Sequence, residues 1–118
     1  MERMAETMTV GKLYDLLDGM YPKSLSCPWD NDGIMVCPDP DAEVKRVLVA
    51  LDATEKTLEY AVRGQFDVVV THHPMLFRGL KSISGRTVHG RHVLTVLKNG
   101  ITVLSEKRSS CLARVILT

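Results

Sequence analysis

The sequence predicts an α/β fold, a largely parallel sheet built from βαβ units and flanked by helices. Three observations carry that expectation. Val68, Val69 and Val70 are consecutive β-branched residues, the pattern of a strand buried on both faces. A second apolar run at 44–51 precedes it, with a helical pattern between. Strand, helix and strand within about thirty residues make a βαβ unit, whose crossover is right-handed as a rule. A further amphipathic stretch at 88–98 leads into another apolar run at 101–104, which extends the alternation.

In chain order, residues 1–8 read as a loose leader and Thr9 as an N-cap. Val10, Leu13, Leu16 and Leu17 follow at helical spacing and should form the buried stripe. This helix should stop near Tyr21-Pro22, because proline disfavours the helical region for its predecessor. Residues 24–32 form a loop with the only tryptophan, Trp29, which can stack on a ring or, more commonly, fill a core or subunit interface. Gly33 can supply a positive φ before a short strand through Ile34, Met35 and Val36. Cys37-Pro38-Asp39-Pro40-Asp41 is a turn-rich connection.

The run at 44–51 is expected as a strand, closed by Asp52 and Ala53, with Thr54 capping the next helix. Glu55 sits in its first turn, as the helix dipole prefers. Leu58, Ala61 and Val62 should be its buried stripe, and Gly64 its left-handed terminator. After the 68–70 strand, Met75, Leu76 and Phe77 should pack back on the sheet. Arg78, Lys81, Ser82, Ser84, Gly85 and Arg86 make a polar, basic stretch that can hold a phosphate, although a solvated loop is the commoner meaning. In the helix at 88–98, Val88, Val93, Val96 and Leu97 should face inward, with Gly100 beyond its end. His89 and His92 lie three apart on one side, without an acidic neighbour, and read as surface histidines.

The chemistry concentrates where the 68–70 strand ends, at Thr71-His72-His73-Pro74. In open α/β sheets ligands bind beyond the carboxyl ends of strands. Successive residues of an extended chain point to opposite sides, and Pro74 favours an extended His73. Adjacent imidazoles that diverge chelate a single ion poorly. They suit one ligand to each of two metals, roughly 3.5–4 Å apart in two-metal sites. The plainer alternative is a pair of loop histidines bonded to backbone carbonyls. Asp52 should share the rim, because the ends of parallel strands face the same way. A simple capping role would also account for it.

Composition narrows the function classes. The 118 residues suit one small α/β domain over 1–118, with 45% hydrophobic and 25% charged residues and a formal net charge of +1. That charge gives no reason to invoke nucleic acid or an anionic membrane surface. Cys27, Cys37 and Cys111 include no CxxC pair, so reduced thiols in a cytoplasmic protein are expected. No apolar run approaches the roughly 18 residues of a membrane span.

Trp29-Asp30-Asn31-x-Gly33, the strand ending at Asp52, and Asp67-Val-Val-Val-Thr-His72-His73-Pro74-Met-Leu-Phe77-Arg78 together resemble the Nif-three-like family. These are toroidal hexameric proteins with a dinuclear metal centre, homologues of GTP cyclohydrolase I type 2. The similarity runs from about Thr9 to Leu104. It implies the N-terminal half of that family's fold and a cytoplasmic homo-oligomer. It also implies that His72 and His73 each ligate one of two divalent metals, zinc, iron or similar. The reaction implied is a metal-dependent, cyclohydrolase-like hydrolysis of an unassigned small molecule, with no catalytic residue designated. Residues 105–118 depart from the pattern, for members continue there with an HT-x-x-D motif and this chain has neither histidine nor aspartate in that stretch. A fragment, a frameshifted end or a truncated copy of a member, with weakly held metals, is therefore the expectation, and Glu106 is the only carboxylate in the stretch. A non-catalytic assembly or regulatory module with an incomplete metal site is the alternative. The aliphatic segment after Cys111 should pair as a strand or promote self-association.

Overall fold

The computed structural model describes residues 7–20, 33–73, 75 and 82–105. Helix α1 (Val10–Met20) is followed by β1 (Gly33–Val36), β2 (Val47–Ala50), α2 (Glu55–Arg63), β3 (Val68–Thr71), α3 (Val88–Lys98) and β4 (Thr102–Ser105). The strands form one sheet in the order β1-β4-β3-β2. β2, β3 and β4 are mutually parallel, and β1 joins β4 antiparallel. The α/β expectation holds, with one antiparallel edge strand on an otherwise parallel sheet.

Strand alternation sorts the core into two layers. Val69 and Val103 pack with Leu58 and Ala61 of α2 and with Val93 and Val96 of α3. Val68 and Leu104 pack with Val10 on the α1 side, joined by Leu13, Tyr14, Leu17 and Val70. The sheet therefore lies between α1 on one face and α2 with α3 on the other. Each fully buried valine or leucine contributes about 1.5–3 kcal/mol of burial, and the two interior strands carry most of them. In β1 a bulge between Ile34 and Val36 breaks the ladder. The extra residue lets both Met35 and Val36 reach the α2–α3 layer.

The predicted caps are present. Thr9 Oγ1 accepts from the Lys12 amide and Thr54 Oγ1 from the Thr57 amide. Thr87, a cap not singled out from the sequence, starts α3 by accepting from the Gly90 amide. Gly33 has φ +107, as the entry to β1 requires. Of the leader, residues 1–6 lie outside the described residues, whereas Met8 is tied in by its carbonyl, which accepts from the Val44 amide at 2.7 Å.

Several expectations are corrected. The strand expected at 44–51 is shorter, Val47–Ala50, because the Lys45 and Arg46 amides donate to the Asp67 side chain instead of a ladder. Leu16 is exposed, since it lies about a third of a turn away from the Val10, Leu13, Tyr14 and Leu17 stripe. Val88 and Leu97 are exposed on α3, where Gly90, Val93 and Val96 are the buried residues. Gly64 has an ordinary φ of −84, and the positive φ after α2 falls on Gln65 at 55. The last strand runs one residue later than 101–104.

Candidate functional site

β3 lies inside the sheet between β4 and β2, and its carboxyl end carries the histidines. The parallel ladder pairs Ala50 with Thr71 and continues past both strands. The His72 amide donates to the Ala50 carbonyl at 3.2 Å and the His73 amide to that of Leu51 at 3.0 Å. This continuation sets the rim. One residue beyond Leu51 comes Asp52, whose Oδ1 lies 2.7 Å from His73 Nδ1. The contact spans 21 positions of sequence and joins two strand ends, as parallel pairing dictates.

The two imidazoles are side by side, with ring centroids 5.0 Å apart and planes at 65°. Their surroundings differ. His73 and Asp52 are about half exposed, at 46% and 48%. His72 is half-buried, and its Nδ1 is buried without a hydrogen-bond partner among the described residues. Beneath them Thr71 is buried, and its hydroxyl donates to the His73 carbonyl at 2.6 Å. That bond folds the chain back at the end of β3 and fixes where the second imidazole begins. Opposite Thr71 in the ladder stands Ser105, whose Oγ is likewise buried and unpartnered among the described residues.

The donors present suit a borderline-soft divalent metal: two imidazoles, one of them backed by a carboxylate. They do not complete a coordination sphere. Among the described residues no group of three or more histidine, cysteine, aspartate or glutamate side chains is arranged to hold a metal ion. Trp29, Asp30, Asn31, Pro74, Phe77, Arg78, Lys81, Glu106 and the segment after Cys111, all singled out from the sequence, lie outside the described residues. Met75 packs against the α2–α3 layer, as expected of the post-histidine run. Ser84 is built into the turn that starts α3: its Oγ accepts from the Arg86 amide, and its carbonyl from Thr87. Arg91 donates to the Gly85 carbonyl in the same turn.

His92 is not the surface histidine its spacing suggested. Its Nε2 is buried without a partner among the described residues, and burial pushes its pKa below the usual 6.5. Glu55, brought over by α2, opposes that shift, while His89 and Arg91 reinforce it. No spacing rule within α3 could have revealed an α2 glutamate nearby.

A layered α/β sheet with paired histidines on its strand-end rim defines the class of protein. A family model described as Duf34/NIF3 (NGG1p interacting factor 3) matches residues 8–106, and the chain belongs to this family. A GTP cyclohydrolase 1 type 2 homolog of Streptomyces coelicolor is 38% identical over 103 residues, which are 87% of this chain and 34% of that protein. A NIF3 homolog of Schizosaccharomyces pombe is 33% identical, over 86% of this chain and 37% of its own length. Among solved structures, a Bacillus cereus protein related to NIF3 superposes with a TM-score of 0.79 at 28% identity, covering 86% of this chain and 28% of that one. Staphylococcus aureus hypothetical protein SA1388 superposes with a TM-score of 0.82 at 27% identity, over 96% of this chain and 34% of its own. The chain thus spans about a third of the length of these relatives. No helix among the described residues is long and apolar enough to cross a membrane.

Proposed function

We propose that this chain binds divalent metal through His72 and His73, one imidazole to each of two neighbouring ions, zinc or iron, and supplies part of a metal-dependent hydrolase centre. The observation that carries the reading is the placement of both imidazoles, 5.0 Å apart, at the carboxyl end of an interior parallel strand. Relatives named GTP cyclohydrolase 1 type 2 homologues support the hydrolytic side of it. When bound, a metal pair lowers the pKa of its water and stabilises developing oxyanion charge. The chain's own residues would do the holding: Thr71 fixes the turn, and His72 and His73 offer ring nitrogens at the rim.

A second reading has its own support. With no third metal-holding side chain among the described residues, the chain fits an assembly or regulatory module whose metal site is incomplete. Self-association with further copies belongs to either reading. On β2, an edge of the sheet among the described residues, Val47 and Val49 and then Leu51 just beyond it leave an apolar stripe exposed, Val49 at 75% and Leu51 at 61%.

Calorimetric titration of the purified chain with zinc and, without oxygen, with ferrous iron tests the proposal. Binding that chelator removes easily, and that His72→Ala or His73→Ala abolishes, is the expected result. Undiminished binding in both variants would overturn it. Metal-dependent hydrolysis of a guanine nucleotide ring that either variant abolishes selects the enzyme reading; metal binding without turnover selects the module. Light scattering on the same sample should report a species larger than a monomer.

A further inference from the structure

We propose that Asp52 is a positioning residue for His73, holding the proton on Nδ1 so that Nε2 presents its lone pair to the rim. The inference rests on the metal reading above and assigns a task to a residue which that reading leaves idle. The geometry is direct, with Oδ1 2.7 Å from Nδ1. A carboxylate only accepts, so a neutral imidazole at this distance must donate from Nδ1. The other ring nitrogen, Nε2, is then left unprotonated and able to ligate. Metal-binding histidines recur with this arrangement, one nitrogen on the metal and the other tied to an acceptor.

The backbone makes the contact reproducible. Ala50 pairs with Thr71, and the Leu51 carbonyl takes the His73 amide, so Asp52 and His73 leave adjacent strands at matched heights. Thr71 adds a second restraint through the His73 carbonyl. The side chain is therefore steered at both its backbone and its ring. His72 is treated differently: its Nδ1 meets no partner among the described residues. Among the described residues the pair is thus asymmetric, with a carboxylate on the Nδ1 of His73 and no partner on that of His72. With Asp52 and His73 half exposed, water screens the contact, so its effect lies in orientation rather than in stability.

Long-range proton–nitrogen NMR on the full metal-free chain, at about pH 8, tests the tautomer without any activity measurement. His73 should appear as one form, protonated at Nδ1. Asp52→Ala should shift it to the Nε2-protonated form that free imidazoles favour in water, and Asp52→Asn, which keeps an acceptor oxygen, should retain the original. A wild-type His73 protonated mainly at Nε2 overturns the proposal and requires no variant. Zinc titration separates this inference from the metal reading. Loss of the carboxylate that holds His73 Nδ1 in Asp52→Ala should weaken binding about 10-fold or more, while His73→Ala abolishes it. Abolition by His73→Ala with unchanged affinity in Asp52→Ala leaves the metal site standing and overturns the role of Asp52. Zinc binding undiminished in both His72→Ala and His73→Ala removes the metal reading and, with it, the task assigned to Asp52.

Discussion

Asp52 Oδ1 and His73 Nδ1 stand 2.7 Å apart across the ends of two adjacent parallel strands. They are 21 positions apart in sequence, and both side chains are about half exposed. What brings them together is the register between β2 and β3, which pairs Val47 with Val68 and runs unbroken to Ala50 and Thr71. Anything that loosens that register should therefore be felt at the rim.

Thr71 is the nearest such element. Its side chain is buried, and its hydroxyl donates to the His73 carbonyl at 2.6 Å. Thr71→Val keeps the shape and removes the bond, which should cost about 1 kcal/mol. Urea unfolding should show that loss, and zinc titration should show weaker binding, because the second histidine is no longer anchored. Thr71→Ser retains the donor and should behave much closer to the parent at the rim. Equal metal affinity in all three proteins would mean that the turn is held by other contacts.

At the opposite end of the same strands, Asp67 acts as a clasp. Its Oδ2 accepts from the amides of Lys45 and Arg46 at 2.8 and 2.9 Å, while its own amide donates to the Arg46 carbonyl. Its carbonyl in turn accepts from Thr102 at the start of β4. One aspartate thus ties the entries of three strands. Asp67→Ala leaves two strand-end amides without that acceptor and should destabilise the domain by about 2 kcal/mol. Asp67→Asn, whose oxygen still accepts, should recover part of it. Chemical denaturation of the two variants would expose any error in this account by giving equal midpoints.

The fold class and the histidine rim were legible because their signals are local. A run of β-branched residues ending in His72-His73 declares a buried strand and its exit, and Thr54 declares a helix start. The misreadings arise where tertiary contact decides. Leu16 satisfies a hydrophobic count but lies off the face that α1 presents to the sheet. Glu55 comes near His92 only because α2 and α3 pack on the same side of the sheet. The Asp67 clasp needs two strand entries to be adjacent before its purpose can be seen. The antiparallel pairing of β1 with β4 rests on a partner some seventy residues later.

His92 should make stability depend on pH. Burial lowers its pKa in the folded protein below the unfolded value of 6.5, against the pull of Glu55 and with the help of His89 and Arg91. Below 6.5 the unfolded chain therefore binds the proton more readily than the folded one. Its contribution is fully present above that value and is lost as the pH falls through the lower, folded pKa. Thermal melts of the parent and of His92→Gln, compared from neutral pH downward, isolate the effect from the other three histidines. The gap in melting temperature should move in favour of the variant as acid is added. A constant gap across the range would show that His92 titrates alike in both states.

The turn after α2 offers a stabilising substitution. Gln65 holds φ at 55 while the Phe66 amide reaches back to the Ala61 carbonyl at 2.9 Å. A side chain in this left-handed region costs about 1–2 kcal/mol. Glycine removes that strain but adds freedom to the unfolded chain, so the net gain for Gln65→Gly should be about 0.5 kcal/mol or slightly more. Gly64, one residue earlier, has no such strain to relieve, yet it cannot be replaced. A methyl group there would fall 2.6 Å from Phe66 Cε2 and 2.9 Å from its Cδ2. That ring is already committed, stacked on Tyr60 at 5.7 Å and covered by the Arg46 guanidinium at 4.5 Å. Gly64→Ala must therefore displace an aromatic ring with two other partners, an overpacking penalty of about 1–3 kcal/mol. The two substitutions should move the denaturation midpoint in opposite directions, Gln65→Gly upward and Gly64→Ala downward. A stabilised Gly64→Ala protein would show that the Phe66 ring yields to the methyl group without penalty and would contradict the packing described above.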